Sequence, residues 1–291
     1  MSFDGHLSRK GDVMEDLRNQ AWEVFRQVQE KRPLVQCITN FVTVNDCANI
    51  ILAAGGSPSM AHDIREAAEA VTMAQGLGCN LGAIGDTDAM EVAGKEANRH
   101  GIPVIFDPVA AGGTSLRRAE SARLMRAVHF SVIRGNASEI RFLAGEQSSV
   151  KGVDAGAFDE ITEENLPDAA KVVEKLAGKT RSVIAVSGRV DLLSDGSQTV
   201  ILRNGTPMMA RITGSGCMLT ALMGALCGAH QEDCFTAAFA AASVMGICGE
   251  LADEKRLERG TGNASFRSDL IDAVFNLTEE QFKERIKYEI F

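Results

Sequence analysis

Hydrophobic positions recur at helical spacing near the start of the chain. Leu17, Ala21, Val24, Phe25 and Val28 share one face, and Pro33 stops the run, so a helix is predicted over 14–31. A short β-like run, 34–39, follows. Val44, Cys47, Ala48, Ile51 and Leu52 then predict a helix over 44–54, ended by Gly55-Gly56. Asp63 is placed to cap a further helix reaching about residue 75. The apolar run 81–84 reads as a strand, and 86–100 as a helix stopped by Gly101. Residues 102–106 read as a buried strand ending at Asp107-Pro108, with Pro103 tolerated near its start.

The alternation continues with a helix over 115–128, a strand over 130–133 and a short helix over 137–144 capped by Asn136. Residues 145–163 form a stretch rich in Gly, Ser and acids. A helix over 167–178 has Pro near its start. A strand over 182–186 and a hairpin of 191–193 with 199–202 around Asp195-Gly196 come next. From Gly214 onward the chain is Ala-rich and helical: 217–227, 234–251 with Asp233 as its cap, and 268–287. No repeat, long linker or composition break divides the chain, which reads as one domain, 1–291. Continuous apolar strands alternating with helices predict an α/β fold, a mostly parallel central sheet with helices on both faces in three layers. In such sheets ligands bind beyond the carboxyl ends of the strands. That rule singles out Thr39-Asn40, Ser59-Met60, Gly85-Asp86, Asp107, Arg134-Gly135-Asn136 and Ser187-Gly188.

Charge narrows the partners. Thirty Lys and Arg against 39 Asp and Glu leave a net charge of −9, which argues against the clustered basic surface that nucleic acid requires. Aromatic residues make up 5% of the chain, too few for base-stacking platforms. None of the seven cysteines forms a CxxC pair, and most lie in apolar runs, which predicts reduced thiols packed as small hydrophobes in a cytoplasmic protein. The first ten residues lack the basic-then-apolar layout of a signal peptide. The nearest approach to a membrane-spanning stretch, 218–229, is short and interrupted by Gly.

The most chemical signal is Thr213-Gly214-Ser215-Gly216-Cys217, directly before a long apolar helix. Glycines let backbone N–H groups approach a ligand, and a helix start offers unpaired donors and partial positive charge to an anion such as a transferring phosphoryl group. A glycine turn followed by a core cysteine is the plainer alternative. No GxxxxGK[ST] loop occurs, and Gly214-x-Gly216 lacks the third glycine of a dinucleotide fingerprint. Gly260-Thr261-Gly262 follows a charged stretch and reads as a turn between helices. Asp107 at a strand end suits Mg²⁺, or serves as a turn residue before Pro108. Asn136 and Glu139 have capping-box spacing; alternatively Glu139 faces the cleft as an organiser of Mg²⁺ and phosphates while Arg134 pairs with phosphate oxygens. Ser187-Gly188 offers a hydroxyl and open backbone to a nucleotide. His62 and His129 read as surface or packing residues, and Cys227, Cys234 and Cys248 as core.

Taken together, Gln36-Cys37-Ile38-Thr39-Asn40-Phe41-Val42, Gly55-Gly56-Ser57-Pro58-Ser59-Met60, Asp107-Pro108-Val109-Ala110-Ala111-Gly112, Arg134-Gly135-Asn136-Ala137-Ser138-Glu139, Lys151-Gly152-Val153-Asp154 and Thr213-Gly214-Ser215-Gly216-Cys217 resemble the hydroxyethylthiazole kinases, a family with the ribokinase-like fold. The resemblance runs over about 34 to 266. It implies ATP- and Mg²⁺-dependent phosphorylation of the hydroxyl of 4-methyl-5-(2-hydroxyethyl)thiazole, a salvage step of thiamine biosynthesis. It further implies that Asn40, Met60 and Gly214 bind the alcohol, that Arg134, Ser187 and Gly216 bind ATP, and that Asp107 and Glu139 hold Mg²⁺. Cys217 would be the catalytic residue, standing where most ribokinase-like kinases carry Asp. The resemblance also implies a homotrimer with active sites between subunits. Residues 1–33 lie outside it and read as an extra helix. Two rivals remain on the residues alone: a related kinase for another alcohol, whose marker would be Asp in place of Cys217, and a non-catalytic nucleotide-binding protein of the same fold.

Overall fold

The computed structural model describes residues 4–145 and 160–291. The predicted Lys151-Gly152-Val153-Asp154 motif lies outside the described residues. In chain order the elements are α1 (Asp4–Lys31), β1 (Leu34–Ile38), α2 (Val44–Ala54), β2 (Ser57–Ser59), α3 (Ala67–Thr72), β3 (Gly76–Asn80), α4 (Thr87–Arg99), β4 (Val104–Asp107), α5 (Ser115–Ala127), β5 (Val132–Gly135) and α6 (Ala137–Leu143). Then follow α7 (Leu166–Thr180), β6 (Val183–Val186), β7 (Asp191–Ser194), β8 (Thr199–Leu202), α8 (Ser215–Ala229), α9 (Cys234–Arg259), α10 (Asn263–Asn276), α11 (Glu279–Arg285) and β9 (Tyr288–Ile290).

The strands form one sheet in the order β2-β1-β3-β4-β5-β6-β7-β8-β9. Pairing is parallel from β2 through β6 and antiparallel from β6 through β9. The mostly parallel sheet read from the sequence is therefore present, with an antiparallel edge. Side chains alternate between two cores. Val35, Cys37, Ile105 and Val132 face α1, α2, α8, α9 and α10, whereas Ile38, Val104, Phe106 and Ile133 face α3, α4 and α7 on the other side. The three layers follow from this period of two. The strand order reverses at β1, whose neighbours are β2 and β3, so the crevice that opens at such a reversal lies between the ends of β1 and β3.

Several expected boundaries moved, each for a local reason. The strand expected at 81–84 is Gly76–Asn80, disguised by two glycines, the first of which packing requires. A Cβ on Gly76 would lie 2.3 Å from the carbonyl oxygen of Gly224, so α8 rests on the β3 backbone itself. Leu81 and Ile84 belong to the turn beyond. Consequently Asn80, rather than Gly85-Asp86, marks the end of that strand. The helix expected from Asp63 begins at Ala67, because the Asp63 carboxylate folds onto the Arg65 N–H and guanidinium instead of capping a helix. The expected helix 268–287 is two helices. Thr278 and Gln281 form a capping box that starts a new one. The short strands β2 and β9 at the sheet edges carried no periodic signal.

The N-terminal helix is a core element. Leu17, Ala21, Val24, Phe25 and Val28 are buried, and Lys31 Nζ donates to the Ala229 carbonyl at the end of α8, 2.6 Å away, where a cation favours the helix terminus. Helix α9 is long and apolar enough to cross a membrane by length and composition. However, 83% of its apolar window is buried inside the protein, as a central core helix requires. Gly260 and Gly262 form the expected turn, between α9 and α10. His62 and His129 are exposed, and Cys227 and Cys248 are buried.

Candidate active site

The site forms where α8 begins. Gly214 is its N-cap, with φ of 86°, and a Cβ there would meet Thr43 Cγ2 at 2.6 Å. Only glycine fits both demands. Among the described residues no side chain caps this helix, so the first-turn N–H groups of Ser215, Gly216 and Cys217 are able to receive an anion. A Cβ on Gly216 would lie 2.5 Å from Arg134 Nη1, so the second glycine makes room for a guanidinium.

Cys217 in the first turn faces the ends of β1 and β3. Its Sγ accepts from Asn40 Nδ2 at 3.5 Å and from Asn80 Nδ2 at 3.1 Å. The Asn40 amide is aimed by its own turn, since Oδ1 accepts the N–H groups of Val42 and Thr43 at 3.1 and 3.2 Å. Asn80 Nδ2 also donates to Asp107 Oδ2 at 3.0 Å. Thr220, one turn below Gly216, donates to the same oxygen at 2.9 Å, and Arg134 Nη1 lies 3.4 Å from it. Asp107 is 1% exposed, and its Oδ1 is buried without a partner among the described residues. Burial pushes this carboxyl up to about 6; Glu139 adds to the rise, and Arg134 and Thr220 oppose it.

Arg134, the penultimate residue of β5, also donates through Nη2 to Ser187 Oγ beyond β6. Arg134, Ser187 and Gly216 all line a cavity of about 920 Å³ together with Asp191, Thr206 and Met245. Asp191 accepts the Gly188 N–H at 2.8 Å, and burial pushes its carboxyl up to about 7, against the Gly188 hydrogen bond and Arg134. Glu139 has both oxygens engaged: Oε1 accepts the Ala110 N–H and Oε2 the Asn136 N–H, each at 2.8 Å. With Asn136 Oδ1 accepting Glu139 N–H, the capping box is complete. Glu139 thus ties the loop after β4 to the start of α6. Met60 lies just past β2, half-buried at the edge of the α8 core.

The structure therefore joins Asn40, Asp107, Arg134, Ser187, Gly214, Gly216 and Cys217 around one helix start. Arg134, Ser187 and Gly216 face a large cavity on one side, while Asn40 and Cys217 meet on the other. Asp107 and Arg134 link the two. Met60 and Glu139 stand at the margins, with no described contact to Cys217. Sequence reasoning missed Asn80, Thr220 and Asp191. Thr220 had a signal, as the one hydroxyl in the apolar run 218–229. Asn80 was hidden by the misplaced strand, and Asp191 was read only as a hairpin residue.

Comparison with known proteins gives a concordant result. The profile of the Hydroxyethylthiazole kinase family matches residues 25–280. The hydroxyethylthiazole kinase of Clostridium acetobutylicum is 42% identical over 271 residues, covering 92% of this chain and 99% of that protein. That of Clostridium beijerinckii is 46% identical over 257 residues, covering 88% and 91%. The solved hydroxyethylthiazole kinase structure from Pyrococcus horikoshii superposes with a TM-score of 0.80 at 32% identity, covering 92% of this chain and 98% of the other. Bacillus subtilis pyridoxal kinase, at 15% identity and a TM-score of 0.53, covers 74% of this chain and 90% of its own, and shares the ribokinase-like fold alone.

Proposed function

The chain belongs to the hydroxyethylthiazole kinase family, and from that premise we propose a division of labour within its site. The enzyme transfers a phosphoryl group from ATP to the hydroxyl of 4-methyl-5-(2-hydroxyethyl)thiazole, the salvage step that supplies thiazole phosphate for thiamine diphosphate. The observation that carries the assignment of roles is the start of α8, which no side chain caps among the described residues, with the amide-held Cys217 sulfur on one side and an arginine-lined cavity on the other.

ATP occupies the 920 Å³ cavity, with Arg134, Ser187 and the Gly216 backbone toward its phosphates. The alcohol lies beside Asn40, Met60 and Gly214. Its hydroxyl sits near Cys217, whose sulfur orients it and, as the thiolate, accepts its proton to become the thiol while the O–P bond forms and the bond to the departing ADP breaks. A cysteine suffices because phosphoryl transfer through a loose transition state relies on positioning and charge neutralisation more than on a strong base. The α8 amides receive the negative charge of the transferring group.

Asp107 Oδ1 is a hard, buried, unpartnered oxygen, which fits Mg²⁺. Among the described residues no group of three or more metal-ligating side chains exists, so phosphate oxygens and water would complete the shell. When bound with ATP, Mg²⁺ neutralises phosphate charge. Glu139 would reach it only through lone pairs its two backbone N–H groups leave free, and its first role is to fix the loop after β4.

The single sheet supports reading 1–291 as one kinase domain. The seven free cysteines support a cytoplasmic location. Phe41, 91% exposed, and Val42 directly follow Asn40. Such an apolar face beside the alcohol site supports a homotrimer whose neighbour closes it. Sedimentation of the full chain tests the assembly. The activity is tested with ATP, Mg²⁺ and a panel of alcohols. Turnover confined to the thiazole alcohol and abolished without Mg²⁺ is expected. Phosphorylation of hydroxymethylpyrimidine instead, or nucleotide binding with no turnover on any alcohol, would replace the reading.

A further inference from the structure

We propose that Asn80 is a positioning residue that locks the Cys217 sulfur and the Asp107 carboxylate into one fixed relation. Asn80 is the last residue of β3 and is 2% exposed. Its amide orientation is determined by its partners. Oδ1 accepts the Gly82 N–H at 2.8 Å, and Nδ2 must therefore face the other way. A primary amide has two N–H bonds, and both are used: one to Cys217 Sγ at 3.1 Å, one to Asp107 Oδ2 at 3.0 Å. An ionised carboxylate can only accept, so the opposite flip would set oxygen against oxygen.

Two consequences follow from this bridge. Asp107 Oδ2 receives Asn80, Thr220 and Arg134, which commits that oxygen to the protein and leaves Oδ1 as the one without a partner among the described residues. The Cys217 sulfur is held between two amides, Asn40 beyond β1 and Asn80 on β3, one from each side of the point where the strand order reverses. A cysteine on a helix would otherwise be free to change rotamer. Asn80 makes its sulfur's position depend on the same rigid strand ends that hold Asp107. Near-attack geometry is sensitive to this, because a displacement of about 1 Å can cost about a hundredfold in rate.

The proposal rests on the reading of Cys217 as the residue beside the reacting hydroxyl, and the test separates the two. Asn80 also shapes its own turn, through Gly82 N–H to Oδ1 and Ala83 N–H to its carbonyl. Asn80→Ser keeps a side-chain oxygen for that turn but is too short to reach sulfur or carboxylate. The full chain is assayed as parent, Asn80→Ser, Cys217→Ala and the double variant. Readouts are kcat and KM with ATP and the thiazole alcohol, ATP affinity by calorimetry without the alcohol, and thermal stability. Asn80→Ser is expected to lower kcat about 10- to 100-fold, with ATP affinity within about twofold of the parent. In the Cys217→Ala background the same change should cost clearly less than in the parent, because the sulfur it positions is gone and only the Asp107 contact remains to be lost. A purely structural asparagine would give equal losses in both backgrounds, and that result overturns the proposal, as does a kcat for Asn80→Ser within about twofold of the parent. If Cys217→Ala turns over like the parent, the role of Cys217 falls, independently of what Asn80→Ser does.

Discussion

Replacing Asp107 by Asn measures what the site costs the fold. Asp107 is 1% exposed, and burial pushes its carboxyl from 3.8 up to about 6 even with Arg134 and Thr220 beside it. A shift of about two pH units corresponds to about 3 kcal/mol between the two protonation states. The folded chain binds this proton more tightly than the unfolded one. The stability linked to Asp107 is therefore fully present below about pH 4 and is lost as pH rises through about 6. Asn has no proton to exchange. The unfolding free energy of the parent minus that of Asp107→Asn should rise by about 2–3 kcal/mol on going from about pH 7.5 to about pH 4. Paired urea titrations of the ligand-free protein read it, because titrating groups remote from Asp107 cancel in the difference. The attraction between Arg134 and ionised Asp107 is already contained in that shift, so it adds no separate pH dependence to the difference. A difference that stays flat, or falls as pH falls, refutes the claim that an ionised Asp107 is held there against its own desolvation.

Three further outcomes are expected. Gly76→Ala places a methyl 2.3 Å from the Gly224 carbonyl oxygen; overpacking of backbone on backbone should cost about 1–3 kcal/mol or more and lower kcat by shifting α8, and an unchanged melting temperature with unchanged kcat would show that α8 does not rest on β3. Gly216→Ala sets a Cβ 2.5 Å from Arg134 Nη1, and because that flexible side chain can move aside, KM for ATP should rise about tenfold or more through the lost guanidinium contacts while the melting temperature barely changes. Asp191 lines the cavity proposed for ATP, and burial pushes its carboxyl up to about 7. It therefore gains negative charge as pH rises through that value, so KM for ATP should climb between about pH 6 and pH 8 in the parent and stay level in Asp191→Asn.

The sequence disclosed most of this site because strand ends are punctuated by polar residues after apolar runs. Asn40, Asp107, Arg134 and Ser187 each follow such a run, and the rule that ligands gather at carboxyl strand ends located them. Asn80 escaped for a physical reason. Strand β3 reads Gly-Leu-Gly-Cys-Asn, with two small residues that weaken any strand signal. Of the two, Gly76 receives the backbone of α8, a tertiary demand that no local pattern states. Helix α1 was legible as a helix from its spacing, yet its burial against α8 and α9 depended on contacts remote in sequence. Glu139 illustrates the opposite case. Its capping-box spacing was visible in the chain, whereas its second bond, to the Ala110 N–H after β4, needed the fold.

The placement of Cys217 and the glycine packing are one design. Gly76 opens β3 and takes the Gly224 backbone; Asn80 closes the same strand and takes the Cys217 sulfur. The four residue steps from Gly76 to Asn80 span about 13 Å, and the seven steps from Cys217 to Gly224 span about 10.5 Å. Helix α8 thus lies along β3 in the opposite direction and is attached near both ends. Gly228, whose Cβ would meet the Gln75 carbonyl at 3.1 Å, extends the close approach past the strand's start. A helix held only by long side chains could slide or roll by an ångström at little cost. Backbone resting on backbone cannot, because interiors are close-packed and the contact admits no intermediate spacing. The start of α8, from Gly214 to Cys217, therefore inherits its position from the middle of the sheet, and in the proposed mechanism the Cys217 sulfur acts through its place, which is what the fold supplies.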